Sequence, residues 1–177
     1  MGCEVPEGVL VECKVIVEGL KRLKEEIKVV SKEIEEVCLR FPEYPFLLSI
    51  PGFGPEVSAQ VLGAIGDPYR FRNAGEVVKM AGLDLSAYRT GKSAERALPV
   101  ISKRGKAHLR NMLYQAALIA SIRNQAFIKY YTEKLAGRQQ ERGIKTKMRV
   151  KLAAKLLVIA WTLMKQKEFF DPRRLTS

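Results

Sequence analysis

The sequence predicts a mainly α protein, with a long amphipathic helix leading into a compact helical domain, and three observations carry that prediction. Apolar residues recur at helical spacing in several separate stretches. Glycine and proline punctuate the intervals between them. The chain of 177 residues is 47% hydrophobic and 28% charged, a balance that supports one core plus an extension and excludes a wholly disordered chain. These signals divide the chain into an arm over residues 1–41 and a helical domain over residues 42–177.

The arm is read from Cys13, Ile16, Leu20, Leu23, Ile27, Val30, Ile34 and Val37, which alternate at spacings of three and four while charged residues fill the other faces. That is the a/d pattern of a coiled coil. It serves either oligomerisation through a partner helix or an intramolecular helical hairpin. The run ends near Phe41-Pro42, because a residue before proline is pushed out of the helical region.

Next comes Phe46-Leu47-Leu48-Ser49-Ile50-Pro51-Gly52-Phe53-Gly54-Pro55, followed by a second apolar helix that carries Ala59. A short helix, a Pro-Gly-aromatic-Gly turn and another helix predict a helix-hairpin-helix over residues 46–65. Gly52 and Gly54 would let the turn close without side chains, leaving the amides at the start of the second helix free to face a phosphate oxygen. Ala59 is expected to let the two helices approach. The alternative is a helix corner with no ligand.

Pro68 to Asn73 forms a turn in which Tyr69 and Phe71 either stack on bases or anchor the core. A helical segment follows over Ala74 to Ala81, and Gly82 to Val100 reads as an ordered loop or a short β-hairpin. The helical period returns through Leu109, Met112, Leu113, Ala116, Ala117 and Ile119, and again from Val150 to Met164; the two apolar faces are expected to pack together as the main core. Between them lies a basic connection containing Lys134, Arg138, Arg142, Lys145, Lys147, Arg149 and Lys151, with Gly137 and Gly143 as breaks. It adds phosphate contacts or is a solvated linker.

Charge narrows the function. The net charge is +12, yet residues 1–80 carry 10 basic against 13 acidic side chains, and residues 81–177 carry 21 against 6. A field concentrated in one half attracts polyanions, nucleic acid above all, whereas mere solubilisation does not require segregation. Cys3, Cys13 and Cys38 lack the spacing of a disulfide framework or a zinc site, and His108 is the sole histidine, so a His-based metal centre is not expected. No apolar run approaches the roughly 18 residues that span a bilayer, and the acidic start is unlike a signal peptide; a cytoplasmic protein with no membrane partner is expected.

Several motifs then fall in one order: Leu48-Ser49-Ile50-Pro51-Gly52-Phe53-Gly54, Ala81-Gly82-Leu83-Asp84, Thr90-Gly91-Lys92, Ile101-Ser102-Lys103-Arg104-Gly105, Leu109-Arg110 and Tyr114-Gln115-Ala116-Ala117. From roughly Leu20 to Leu163 the chain resembles the DEDD-type insertion-sequence transposases, the Piv-like, bridge-RNA-guided recombinases. The resemblance implies an enzyme in two parts. A RuvC-like domain supplies four metal-binding carboxylates, a coiled coil follows, and a C-terminal domain supplies a nucleophilic serine in a Ser-Gly motif. It places the carboxylates and their metal ions outside this chain, which then holds no cofactor of its own and does not transpose alone. It also implies DNA as partner, a guide RNA, and a homo-oligomer built through the coiled coil.

At the Ser-Gly position this sequence has Thr90-Gly91, so Thr90 is the candidate nucleophile. Its hydroxyl can attack phosphorus, although the extra methyl crowds the approach and activation is still needed. The alternative for Thr90 is a turn residue bonded to the local backbone; Ser93 and Ser102 are nearby hydroxyls off the motif position. Lys92, Lys103, Arg104, Lys106 and Arg110, together with Gly52 and Gly54, are the candidate nucleic-acid contacts, and His108 is a helix-surface residue or a further phosphate contact. Three function classes follow: a DNA-binding and strand-exchange domain of a transposase, a non-catalytic nucleic-acid-binding module, and a coiled-coil assembly protein whose basic face is incidental.

Overall fold

The computed structural model describes residues 6–86 and 100–175. The chain divides into two units, residues 1–40 and 41–177.

The first unit is one helix, α1 (Glu7–Cys38). The Pro6 carbonyl accepts the amides of Val9 and Leu10, and Glu7 in the first turn complements the positive end of the helix. Arg22–Glu26, Lys28–Glu25 and Lys32–Glu36 pair along its surface at 3.0, 2.8 and 3.8 Å. Exposed pairs of this kind contribute roughly 0.3–0.5 kcal/mol each, too little to hold a long helix by themselves. The apolar stripe remains in water: Leu20, Leu23, Ile27 and Val30 are 53–60% exposed.

The second unit contains α2 (Tyr44–Leu48), α3 (Pro55–Ile65), a 3-10 turn (Pro68–Arg70) and α4 (Ala74–Met80). Two-residue strands follow, β1 (Leu85–Ser86) and β2 (Val100–Ile101), paired antiparallel with Leu85 opposite Ile101. The order finishes with α5 (Ala107–Arg123), α6 (Gln125–Leu135), α7 (Ile144–Gln166) and a terminal 3-10 turn (Pro172–Leu175). The protein is mainly α, as its apolar periodicity predicts.

Helix α7 is the centre of this unit, packing against α2, α3, α4, α5 and α6. Its Leu152, Leu156, Leu157 and Met164 are fully buried, as are Leu109 and Leu113 of α5. Each such side chain contributes on the order of 2 kcal/mol through the apolar surface it removes from water. The expected pairing of the two late helical faces is present, and the contact between α5 and α7 is the most extensive in the unit. One corner has no glycine or proline to announce it. Asn124 adopts an extended conformation (φ −111°, ψ 122°) between α5 and α6, and its side chain accepts the Phe127 amide at 3.3 Å, so a single residue ends one helix and caps the next.

The C-terminal segment folds back as a strap. The Phe170 amide donates to Ser49 Oγ at 2.9 Å, the Phe170 ring stacks on buried Phe127, and Phe169 meets Phe46 edge-on. Lys155 Nζ donates to the Leu175 carbonyl at 2.8 Å and lies over the Tyr130 ring; burial lowers the pKa of this amine, with the Lys134 charge adding to the effect. Among the described residues no helix is long and apolar enough to cross a membrane.

Candidate nucleic-acid interface

Residues 80–84 and 102–106 form a clasp. The Lys106 amide donates to the Met80 carbonyl at 3.0 Å, Lys103 to Gly82 at 3.1 Å and Ser102 to Asp84 at 2.8 Å, after which β1 and β2 continue the pairing. The backbones cross so closely that glycine is required on both sides. A Cβ on Gly82 would lie 2.6 Å from the Gly105 nitrogen, and one on Gly105 would overlap the Met80 carbonyl. The Ser102 hydroxyl donates to the Asp84 carboxylate, and Arg110 sends one guanidinium N–H to the Ala81 carbonyl at 3.0 Å. Two motifs separate in sequence, Ala81-Gly82-Leu83-Asp84 and Ile101-Ser102-Lys103-Arg104-Gly105, thus become one structure. Thr90 and Lys92, the predicted nucleophile and its neighbouring cation, lie outside the described residues.

The clasp delivers the chain directly into α5, whose start suits an anion. Lys106 is the cap residue and supplies no side-chain acceptor, and the first turn contains no acidic residue. The amides of Ala107, His108 and Leu109 have no acceptor within the helix, and the helix dipole adds a partial positive charge there. Lys103, Arg104, Lys106 and His108 are all exposed around them. Lys103 holds a left-handed backbone (φ 56°), which costs a non-glycine residue about 1 kcal/mol and marks a position where the surroundings impose the geometry. A groove of about 360 Å³ opens beside this turn, lined by Gln60, Gly63, Ala64, Lys106 and His108 among others. At its edge the Ala64 carbonyl accepts from Lys106 Nζ at 3.4 Å and from Arg70 at 2.9 Å. Arg70 is a cation of the site whose place no residue pattern announced, because the contact depends on the end of α3 meeting the 3-10 turn.

The structure separates Gly52 and Gly54 from this cluster. Helices α3 and α5 run antiparallel, so the Gly52-Gly54 turn lies beside Ala116 and Ala120 of α5 while the Lys106 end of α5 lies beside Ala64. The two ends of α3 are roughly 16 Å apart. Gly52 has φ 91°, and a Cβ there would lie 2.5 Å from the Ala116 carbonyl, so its small size serves packing. Gly54 has open space around it and caps α3, but Pro55 brings no N–H and Glu56 puts a carboxylate into the first turn. Ser58 and Ala64 are the small buried residues of α3, whereas Ala59 sits half-exposed against the groove. Of the two aromatics in the turn after α3, Phe71 is a core anchor and Tyr69 is not.

Farther along the chain, the basic connection is partly neutralised. Arg138 makes two hydrogen bonds to Glu141, at 2.6 and 2.7 Å, which lower the pKa of the Glu141 carboxyl and raise that of Arg138. Lys145 and Lys147 stand exposed in the first turns of α7, and the start of α7 is roughly 30 Å along the helix axis from Lys165 near its other end. Among the described residues no group of three His, Cys, Asp or Glu side chains is placed to hold a metal ion.

A family model described as "Transposase IS116/IS110/IS902 family" matches residues 44–132. The pilin gene-inverting proteins of Moraxella bovis and Moraxella lacunata are 33% and 32% identical over 130 residues, 72% of this chain and 38% of each relative. The insertion element IS116 uncharacterized 44.8 kDa protein of Streptomyces clavuligerus is 27% identical over 157 residues, 86% of this chain and 37% of that protein. The chain spans under two fifths of the length of these relatives.

Proposed function

The chain belongs to the IS116/IS110/IS902 transposase family, and from that premise we propose that it is the DNA-gripping and strand-exchange part of a transposase, working at the start of α5. The observation that carries this reading is the α5 turn itself: free amides, no acidic side chain, and Lys103, Arg104, Lys106 and His108 around them. Phosphodiester oxygens satisfy those amides and complement both the side chains and the dipole. Such contacts hold the backbone without reading sequence, so target choice comes from elsewhere, a guide RNA or another domain. The Gly52-Gly54 turn, in the helix-hairpin-helix role, supplies a second and weaker contact through the amides of Glu56 and Val57.

The clasp gives the reading its chemistry. Thr90 lies in sequence between the two halves of the clasp, and in this proposal its hydroxyl meets a phosphate held by Lys103, Arg104, Lys106 and Arg110. In the transfer step the Thr90 oxygen forms a bond to phosphorus, a sugar oxygen leaves with the electron pair and takes up a proton, and the threonine proton passes to a base. The metal-binding carboxylates of the family's RuvC-like domain belong to a partner segment. Self-association of α1 as a coiled coil brings copies together, its exposed stripe being the surface available for it.

Adduct formation tests the proposal. Incubated with branched or supercoiled DNA and a full-length relative, the chain is expected to form a covalent protein–DNA species that is lost in Thr90→Ala and retained in Thr90→Ser. An adduct that persists in the alanine variant removes Thr90 from the mechanism. The threonine in place of the family's serine favours a second reading, a nucleic-acid-binding module without strand transfer. That reading predicts salt-sensitive binding and no adduct in any variant.

A further inference from the structure

We infer that Tyr69 is a stacking platform for one unpaired nucleotide, set at the end of a cationic track that begins at the start of α5. The inference rests on the nucleic-acid reading above and adds to it a site and a class of ligand.

Tyr69 is 63% exposed, yet it is held from several sides. Its hydroxyl donates to the Lys165 carbonyl of α7 at 2.9 Å. Its amide donates to the Asp67 carboxylate at 2.8 Å, inside a 3-10 turn opened by Pro68. The carbonyl of Pro68 accepts the indole N–H of Trp161 at 2.8 Å, tying the same turn to α7 again. An aromatic ring fixed in this way and left in water loses little conformational entropy when a flat ligand lies on it.

Charge continues from the α5 turn to this ring. Lys106 and Arg70 meet at the Ala64 carbonyl, Arg70 is the next residue after Tyr69, and Lys165 Nζ lies 5.7 Å from the Tyr69 ring centre and 4.7 Å from that of Trp161. Cations for the phosphates with an aromatic face for the base are the two parts of a single-strand site. In a duplex both faces of a base are occupied by its neighbours, so an exposed phenol selects unpaired nucleotides. The competing role for Tyr69, a tether from the turn to α7, needs only the hydroxyl; stacking needs only the ring.

Binding of the 177-residue chain to a labelled oligothymidylate, an oligouridylate and a DNA duplex, at low salt, separates these roles. Tyr69→Ala is expected to weaken single-strand binding about ten-fold and duplex binding less than about two-fold, and Tyr69→Phe to bind all three within about two-fold of the parent. A ten-fold loss on either single strand supports the platform, and the polymer that shows it names the source of the nucleotide. Emission from Trp161, the protein's one tryptophan, is expected to quench on single-strand binding. The inference is overturned if Tyr69→Phe loses as much as Tyr69→Ala, if the alanine variant weakens single strand and duplex alike, or if it changes neither. In those cases intact duplex binding by the parent leaves the nucleic-acid reading standing, whereas a parent that binds none of the three ends both.

Discussion

At the start of α3, Gly52 lies against the carbonyl of Ala116, and at the start of α5, Gly105 lies against the carbonyl of Met80, so each turn uses a missing Cβ to bring two backbones together. The chemistry presented beyond the two turns is opposite. Helix α3 begins Gly54-Pro55-Glu56, with one amide absent and a carboxylate already in the first turn; α5 begins Lys106-Ala107-His108, with its amides unoccupied and cations around them. The first helix start carries a carboxylate of its own, and the second carries only cations. The start of α7 is intermediate: Lys145 and Lys147 stand in its first turns, but Glu141, two residues ahead of its Gly143 cap, brings a carboxylate that Arg138 holds. The two turns thus share their dependence on glycine and differ in the electrostatics of the turn that follows.

The largest expected effect breaks the shared half of the comparison. Gly105→Ala, with a methyl driven into the Met80–Gly82 backbone, is expected to cost about 3 kcal/mol or more, and Gly52→Ala about 2–3 kcal/mol, from the positive φ and the Ala116 carbonyl. Gly54→Ala, in open space, costs no more than about 1 kcal/mol through a poorer cap. Denaturant unfolding orders the three, and a Gly105 variant as stable as the parent would refute the clasp.

The next effect tests the half that differs. Lys106→Ala is expected to weaken DNA binding about five- to ten-fold and to reduce the slope of log affinity against log salt by about 0.9, the signature of one lost phosphate contact. Glu56→Gln at the other turn changes affinity by less than about two-fold. If the α3 variant gains as much as the α5 variant loses, the ranking of the two turns is reversed.

Smaller effects sharpen the picture of α3 and α7. The Ser58 hydroxyl is fully buried without a hydrogen-bond partner, so Ser58→Ala is expected to be neutral or stabilising by up to about 1 kcal/mol in thermal unfolding. A marked loss there would mean that the hydroxyl is in use. The Glu141 carboxyl titrates lower in the folded protein than in the unfolded chain, chiefly because it accepts hydrogen bonds from Arg138. Its contribution is therefore present above the unfolded carboxylate pKa and is lost as pH falls through the folded value. The stability difference between the parent and Glu141→Gln should shrink on acidification; a difference independent of pH would assign the effect of the substitution to packing.

Helices with an amphipathic or wholly apolar face were legible in the residues, because a 3.6-residue period is a local property of the chain. The late pairing of α5 with α7 was legible for the same reason. The Asn124 corner was not, since asparagine both ends and caps helices and only its extended backbone selects between the roles. The candidate site was legible as a list of cations and illegible as a place. Lys103, Arg104, Lys106 and Arg110 are neighbours in sequence, but Arg70, Tyr69 and Lys165 join them only because the end of α3, the 3-10 turn and the end of α7 meet.

Local order alone determined the helical class, the segregation of positive charge into the second half, and the succession of short motifs that belongs to one family; each depends on residue type and spacing and survives without a folded chain. Tertiary structure decided which glycines serve packing, which cations gather beside one helix start, and which aromatic faces water. Those outcomes turn on contacts between residues as far apart as Tyr69 and Lys165 or Gly52 and Ala116. Such distances in sequence carry no periodic signal, and the contacts are set by how the helices pack around α7.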